Sequence, residues 1–526
     1  MSHVNLDALI VREDFEVKGQ GGEAPTKPSI EIRELEKDQF FFGGLRKPDF
    51  QRETSEWDPK RVAGLVQTFL KDDLIPAVIL WKNKDLYFVI DGSHRLSALI
   101  AWVQDDYGDG ERSQHFWGHA VPDEQLKIAE RTRQLIEKEF GSYRSHKDAI
   151  LNPKAYGPDI VARARRLGTI SLQLQWVRGN SGDAEQSFIR INQQAANITP
   201  QELELIRARR KPNAIAARAI IQRGTGHQYW DRFSPAQQEK IKLLASELYE
   251  LIFQPPLQYP IKTLDLPPGG AVYTATSLRM VYDFVTLCAG IPSAEDDADG
   301  SRTLDYLARC KRVAQLLCSN HASSLGLHPA VYFYSWTGKQ QPILFLTWAA
   351  LIVELERSNR LPHFTRVRGQ LEKFLVANRP LLNQVIRKFG TKESGTKHLG
   401  GFYRDVLKLL SDGVSAAEMP TTLSAKPEYS YLQPEESPYG GVAPTKFSTQ
   451  VKSGLVVQEL LAEAHHCPIC EGLVPHQAIS VDHIERREDG GLSIPSNARL
   501  THPYCNTGYK ESLRAKTAAS SRAARK

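Results

Sequence analysis

Two short pairs of metal-ligand residue types, Cys467-Pro-Ile-Cys470 and His502-Pro-Tyr-Cys505, stand about thirty residues apart near the end of the sequence. Each pair puts two ligands on one turn, and two such pairs close a tetrahedral site. This spacing constrains the fold of its segment more than any other feature of the chain. Cys467, Cys470, His502 and Cys505 predict a three-Cys, one-His zinc site that holds structure and does no chemistry. The N-terminus has no basic-then-apolar leader, so the chain is expected in the cytoplasm. Closely spaced cysteines there point to metal before disulfide. Cys288, Cys310 and Cys318 fall in apolar helical sequence and read as buried thiols.

The chain has 526 residues, about three domains at roughly 150 residues each. Its 41% hydrophobic and 24% charged residues exclude wholesale disorder. No apolar run approaches the ~20 residues of a membrane helix, so no membrane partner is expected. A net charge of +6 is a weak hint of an anionic partner.

The sequence between the zinc pairs is not that of a plain zinc ribbon. A short apolar strand over 478–481 leads into Asp482-His483-Ile484. A loop with Gly490-Gly491 follows, then Asn497, and Asn506 comes directly after Cys505. Phosphodiester hydrolysis needs an activated water and a cation to stabilise a crowded, charged transition state. Neutral imidazole can take the proton from water, and Asp482 and Asn497 offer hard oxygen ligands suited to Mg²⁺ or Mn²⁺. The order Asp482-His483-Ile484, Gly490-Gly491, Asn497-x-x-Leu500, His502-x-x-Cys505-Asn506 resembles the HNH endonuclease family. The resemblance implies a ββα-metal module with His483 as general base. Asp482 and Asn497 would hold the catalytic ion or position the base. Asn506 stands where many relatives carry a third His, which favours an oxygen-liganded ion.

A second constellation lies near the N-terminus. Asp58-Pro59 starts a helix with Val62, Leu65, Val66 and Phe69 on one face. Apolar runs over 77–81 and 86–90 read as strands joined by a turn. The second ends at Asp91-Gly92, and a helix follows from Ser93-His94-Arg95. Backbone N–H groups at such a helix start favour anions, phosphate among them. The plain alternative is a strand-to-helix junction with an Arg salt bridge. Residues 169–176 alternate as a half-buried strand. Thr199-Pro200-Gln201-Glu202 reads as a capping-box helix start.

Phe50-Gln51-Arg52, Trp57, Asp91-Gly92-x-x-Arg95-Leu96 and Phe188-x-x-Ile191-Asn192, in that order, resemble the N-terminal domain of GmrSD-type modification-dependent restriction enzymes and of the phosphorothioate-sensing nuclease SspE. That domain is related to the ParB fold. The resemblance implies binding and hydrolysis of a nucleoside triphosphate and sensing of modified DNA. Arg52, Asp91, Gly92, His94, Arg95 and Asn192 are the positions carried over; His94 departs from the usual Gln toward the ParB form.

Residues 1 to about 40 look like a loosely packed lead-in. Arg207, Arg209, Arg210 and Lys211 read as a solvated basic face or a DNA-backbone contact. Trp176, Trp230, Trp336 and Trp348 read as core. The expected organisation is a multidomain α+β protein: a ParB-like α/β domain over 1–205, a mostly helical domain over 206–418, a Pro-rich linker over 419–454, and an HNH module with a basic tail over 455–526. The expected function is an HNH DNA endonuclease that cleaves or nicks foreign or modified DNA. Its cofactors would be structural Zn²⁺, catalytic Mg²⁺ or Mn²⁺, and a nucleoside triphosphate; homo-oligomers are left open. The rival reading is a ParB-like DNA-binding regulator whose zinc module does no catalysis.

Overall fold

A computed structural model describes residues 3–13, 27–48, 51, 54, 57–117, 121, 123–195, 204–205, 207–272, 276–391, 393–433 and 446–514. The chain divides into two compact units. The first is Met1–Gln238 with Tyr273–Ala275 and Ala294–Gly300; the second is Glu239–Val272, Thr276–Ser293 and Ser301–Lys526.

The first unit is built on a six-stranded mixed sheet in the order β1-β3-β5-β4-β6-β2. The strands are β1 (Arg12–Glu13), β2 (Ser29–Glu31), β3 (Leu45–Pro48), β4 (Val78–Asn83), β5 (Leu86–Asp91) and β6 (Ser171–Val177). The hairpin expected from the two apolar runs is β4–β5, antiparallel, with Leu80 opposite Val89. β3 runs parallel to β5, and β6 runs parallel to β4. The period of two sends alternate side chains to opposite faces. Val78, Leu80 and Val89 join the main core with Leu172 and Leu174 of β6. Trp81, Phe88 and Ile90 point the other way and meet Ala184 and Phe188 of the helix Ser181–Ala195. The helix Pro59–Lys71 starts as its sequence predicts: Asp58 caps the Arg61 N–H at 2.8 Å, with Pro59 at the first position.

The expected lead-in is corrected by this unit. Val4, Leu6, Leu9 and Ile10 belong to the main core. Asp7, Arg12 and Lys47 form a buried charge cluster, with Asp7 2.8 Å from both Arg12 Nη2 and Lys47 Nζ. Burial by itself would raise the Asp7 pKa; Arg12 and Lys47 outweigh it and hold the carboxyl well below the usual range. A polar stretch looks like surface in sequence, because nothing local reveals that its charges neutralise one another inside.

The second unit is mainly helical, with Ser277–Ala289, Ser301–Leu317, Pro342–Arg357, Leu361–Ala377, Arg379–Phe389 and Glu393–Ser411 as its long elements. Trp348 is buried among Tyr332, Phe364 and Tyr403, as a core reading of that residue requires. Residues 419–433, expected to belong to the linker, are folded: Met419, Leu423 and Leu432 are buried, and Tyr429 Oη donates to Asp405 at 2.5 Å. Prolines there open the helical turns Met419–Ser424 and Pro427–Tyr429. No helix among the described residues is long and apolar enough to cross a membrane.

Candidate active site and metal centre

The two Cys/His pairs converge. The ligand atoms of Cys467, Cys470, His502 and Cys505 all lie within 4.8 Å of one another, and all four residues are buried. The first pair sits on a tight knuckle. Cys467 N–H donates to Gly472 O at 2.8 Å, and Glu471, at φ 59°, turns the chain after Cys467 O accepts from its N–H, also at 2.8 Å. His502 Nε2 lies 2.9 Å from Leu473 O. Donation to that carbonyl leaves Nδ1 for the sulfurs, 3.4 Å from Cys470 Sγ. Burial, then the nearby Arg368 cation, lower the His502 pKa, so the ring stays neutral and able to ligate. Hydrogen bonds from the Cys470 and Cys505 thiols hold Cys467 far below the ordinary thiol range. Three soft sulfurs and one imidazole nitrogen at this spacing fit zinc.

This knuckle is keyed into the helices of its own unit. Arg368, on Leu361–Ala377, is buried and donates from Nε to Glu372 Oε1 at 2.7 Å, from Nη2 to Gly326 O at 2.7 Å, and from Nη1 to Leu325 O. The other Glu372 oxygen accepts the Leu473 N–H at 2.6 Å. Tyr332 Oη donates to Glu372 at 2.7 Å. A Cβ on Gly472 would come within 2.6 Å of Arg368 Nε, so only glycine lets the guanidinium so close. No sequence pattern singled out Arg368 or Glu372.

The residues expected to carry the chemistry stand on a small hairpin. β7 (Ser480–His483) pairs antiparallel with β8 (Ala498–Thr501), Asp482 opposite Arg499. The strand lies two residues later than its apolar run implied, because residues 476–478 form a turn, and it therefore includes Asp482 and His483. Alternation buries Asp482 and leaves His483 half-exposed. His483 Nε2 lies 3.0 Å from Ser493 Oγ, a partner that sequence reasoning missed. Asp482 Oδ2 accepts from Arg499 Nε and Nη2, both at 2.9 Å.

Asn497 clamps the intervening loop. Its Oδ1 accepts from Glu485 N at 2.8 Å, and its Nδ2 donates to Glu485 O and Leu492 O at 3.0 and 2.9 Å. Its carboxamide is thus engaged in holding the 484–497 loop. Gly491 is required there, since a Cβ would meet Glu485 O at 2.1 Å. Residues 503–514 are helical, and Asn506 on this helix reaches back to β7 through Nδ2, at 2.9 Å from Ser480 Oγ.

In the first unit, Asp91 is the last residue of β5, and Gly92, at φ 95°, turns the chain into the helix Ser93–Gln104. A side chain at that φ would be strained. Arg95 Nη2 lies 2.7 Å from Asp91 Oδ2 and also donates to Ala77 O at 3.3 Å. Arg95 Nε is buried with no hydrogen-bond partner among the described residues. The fold brings Trp57 onto this helix start, where its ring stacks on His94 at 5.7 Å, with the Arg61 guanidinium 5.0 Å from the indole. Gln51, whose carbonyl accepts from Arg12, is buried. Arg52 and the 199–202 capping box lie outside the described residues. Asn192 is one turn beyond Phe188 on the helix that packs against β5. Arg209 of the basic run lies 3.4 Å from Glu185.

A buried Cys₃His knuckle carrying a strand pair and a helix, with an Asp-His step on the strand, is the build of a metal-centred nuclease module. Residues 467–512 match the HNH endonuclease family, and residues 32–209 match the GmrSD restriction endonuclease N-terminal domain. The chain therefore joins a GmrSD-type N-terminal domain to a C-terminal HNH endonuclease domain. No curated protein and no solved structure gives a match to it.

Proposed function

We propose that the protein is a metal-dependent DNA endonuclease of the restriction type, acting in the cytoplasm on foreign or modified DNA under control of its N-terminal domain. The observation that carries the reading is the Asp482-His483 step on β7, set beside Asn506 on a helix anchored by the cysteine cluster. His483, half-exposed and oriented by Ser493, takes the proton from the attacking water. Asp482 is the anionic seat for a divalent Mg²⁺ or Mn²⁺, which would supply Lewis-acid stabilisation of charge growing on the phosphate oxygens. Asn497 keeps the His483 loop closed, and Asn506 braces the strand. The zinc ligands do no chemistry.

The N-terminal domain is read as a ParB-like nucleoside triphosphate site. The helix start at Gly92–Ser93, the Arg95 guanidinium and the Trp57 ring support that reading, and Arg52 and Asn192 complete it. The test is a cleavage panel over plasmids with different modifications, with Mg²⁺ or Mn²⁺ and each nucleotide. Wild type should nick or cut at least one DNA, and His483→Ala should lose about 10²- to 10⁴-fold, the usual contribution of a positioned base, with its zinc content unchanged. Equal rates in wild type and His483→Ala would refute the assignment. Binding without cleavage across the panel would favour the regulator.

A further inference from the structure

The helix that comes after the zinc ligands carries a residue with no place in the motif, Lys510. Its Nζ lies 2.6 Å from Asp482 Oδ1 and 3.0 Å from the His483 carbonyl. Over Cys505–Tyr509 the turns are of π type, and the Lys510 N–H reaches back five residues to Cys505 O. Lys510 lies one turn past Asn506, so both reach β7 from the same side of the helix. Both Asp482 oxygens are consequently held by protein cations, Oδ2 by Arg499 and Oδ1 by Lys510. With the Asp482 side chain 3% exposed and that of Lys510 16% exposed, little water is at hand to screen one cation from another.

The inference rests on the reading of Asp482 as the divalent-cation seat. A divalent ion and the Lys510 ammonium compete for Oδ1, because two cations on one buried carboxylate oxygen repel each other where little water screens them. We infer that Lys510 is the resident counter-cation of this seat: a positioning residue that occupies Asp482 until a divalent cation displaces it. It thereby keeps the metal affinity of the protein low. The tethered ammonium, once displaced, remains beside His483, where the phosphate of a bound strand is the nearest anion of opposite charge that the proposed reaction brings. The same contact holds the His483 carbonyl, so Lys510 also sets the strand that carries the base.

The test is Mn²⁺ binding to the zinc-loaded full-length chain, read from the electron paramagnetic resonance signal of free Mn²⁺, for wild type, Lys510→Met, Lys510→Gln, Lys510→Arg and Asp482→Asn. Zinc content and an unfolding curve check that each is folded, and the Met and Gln variants back one another. Removing the ammonium should tighten Mn²⁺ binding tenfold or more, while Lys510→Arg stays near wild type. A lysine that merely braces the strand would leave the affinity unchanged or weaken it on removal, and either result overturns the inference. Asp482→Asn separates the two layers. If it abolishes Mn²⁺ binding and neither neutral variant tightens it, only the role of Lys510 falls. If it leaves Mn²⁺ binding intact, the seat is not Asp482, and the metal reading falls with it.

Discussion

The two candidate sites are assembled differently. At the N-terminal junction, Asp91 and Arg95 pair across the strand-to-helix turn, and the other candidates come from far along the chain, at positions 52, 57 and 192. At the C-terminal site, Asp482 takes one partner from the opposing strand and another from the following helix, yet every residue falls within 467–510. The compact site has its own Cys₃His cluster and needs few distant residues to form. The dispersed site exists only once the core of the first unit has brought β5, the 57–61 segment and the helix Ser181–Ala195 together. A similar contrast separates the two buried charge clusters. Asp7 has two cations and ties the N-terminal segment to β3. Glu372 has one cation and ties the knuckle to a helix of the second unit.

The strongest effect should appear where the compact site depends on its scaffold. Cys467→Ser should lose zinc and unfold the 446–514 region, because structural zinc supplies roughly 10–16 kcal/mol of apparent binding energy to small zinc modules. Elemental analysis together with limited proteolysis reads this, and full zinc content in the variant would undo the contrast.

Next come the two charge clusters. Asp7→Asn takes a buried carboxylate from beside Arg12 and Lys47, and Glu372→Gln takes one from beside Arg368. Each should cost about 3–5 kcal/mol. Hydrogen exchange should place the loss in the first unit for Asp7→Asn and in the second for Glu372→Gln. Loss in the same unit for both would contradict the separate cores.

Acid should distinguish the units more gently. His328, in the second unit, is buried, and burial lowers its pKa to about 4. Folding therefore disfavours its protonated form, so the stability this group contributes is full above its unfolded value of about 6.5 and falls as pH drops toward 4. The Asp7 contribution runs the same way but at lower pH. Its depressed carboxyl keeps full effect above about 3.9, the unfolded value, and loses it only below. Unfolding curves of the second unit should weaken between pH 6.5 and 4, and His328→Gln should flatten that slope. An unchanged slope in His328→Gln would discard the assignment.

The smallest effect on folding is expected at the dispersed site. The Asp91–Arg95 pair is partly exposed, and such pairs contribute roughly 0.2–1 kcal/mol. Arg95→Ala should therefore fold normally but lose nucleotide affinity and alter the control of cleavage. Calorimetric titration of each nucleoside triphosphate measures this. Unchanged binding and cleavage would reduce the 91–95 turn to a structural junction.

Much of this architecture was legible in local pattern. The β4–β5 hairpin, the Asp58-Pro59 helix start and the alternation of β6 follow from side-chain periodicity and capping, which act over a few residues. The convergence of Cys467, Cys470, His502 and Cys505 follows from spacing alone, since a tetrahedral centre demands paired ligands on tight turns. Long-range electrostatics and packing were not legible. Asp7 falls in the stretch that reads as a loosely packed lead-in until the fold buries it beside Lys47, and Arg368 and Glu372 lie on an unremarkable amphipathic helix. Residues 419–433 read as linker because their prolines hide that Met419, Leu423 and Leu432 find apolar partners. The order of residues sets which side chains can bind metal and which can move a proton. Folding in three dimensions is needed before Ser493 meets His483, before Arg499 and Lys510 share Asp482, and before the knuckle locks to a helix a hundred residues earlier. Those meetings depend on strand register, on the helix that follows the second strand, and on charges that become strong partners only where water is excluded.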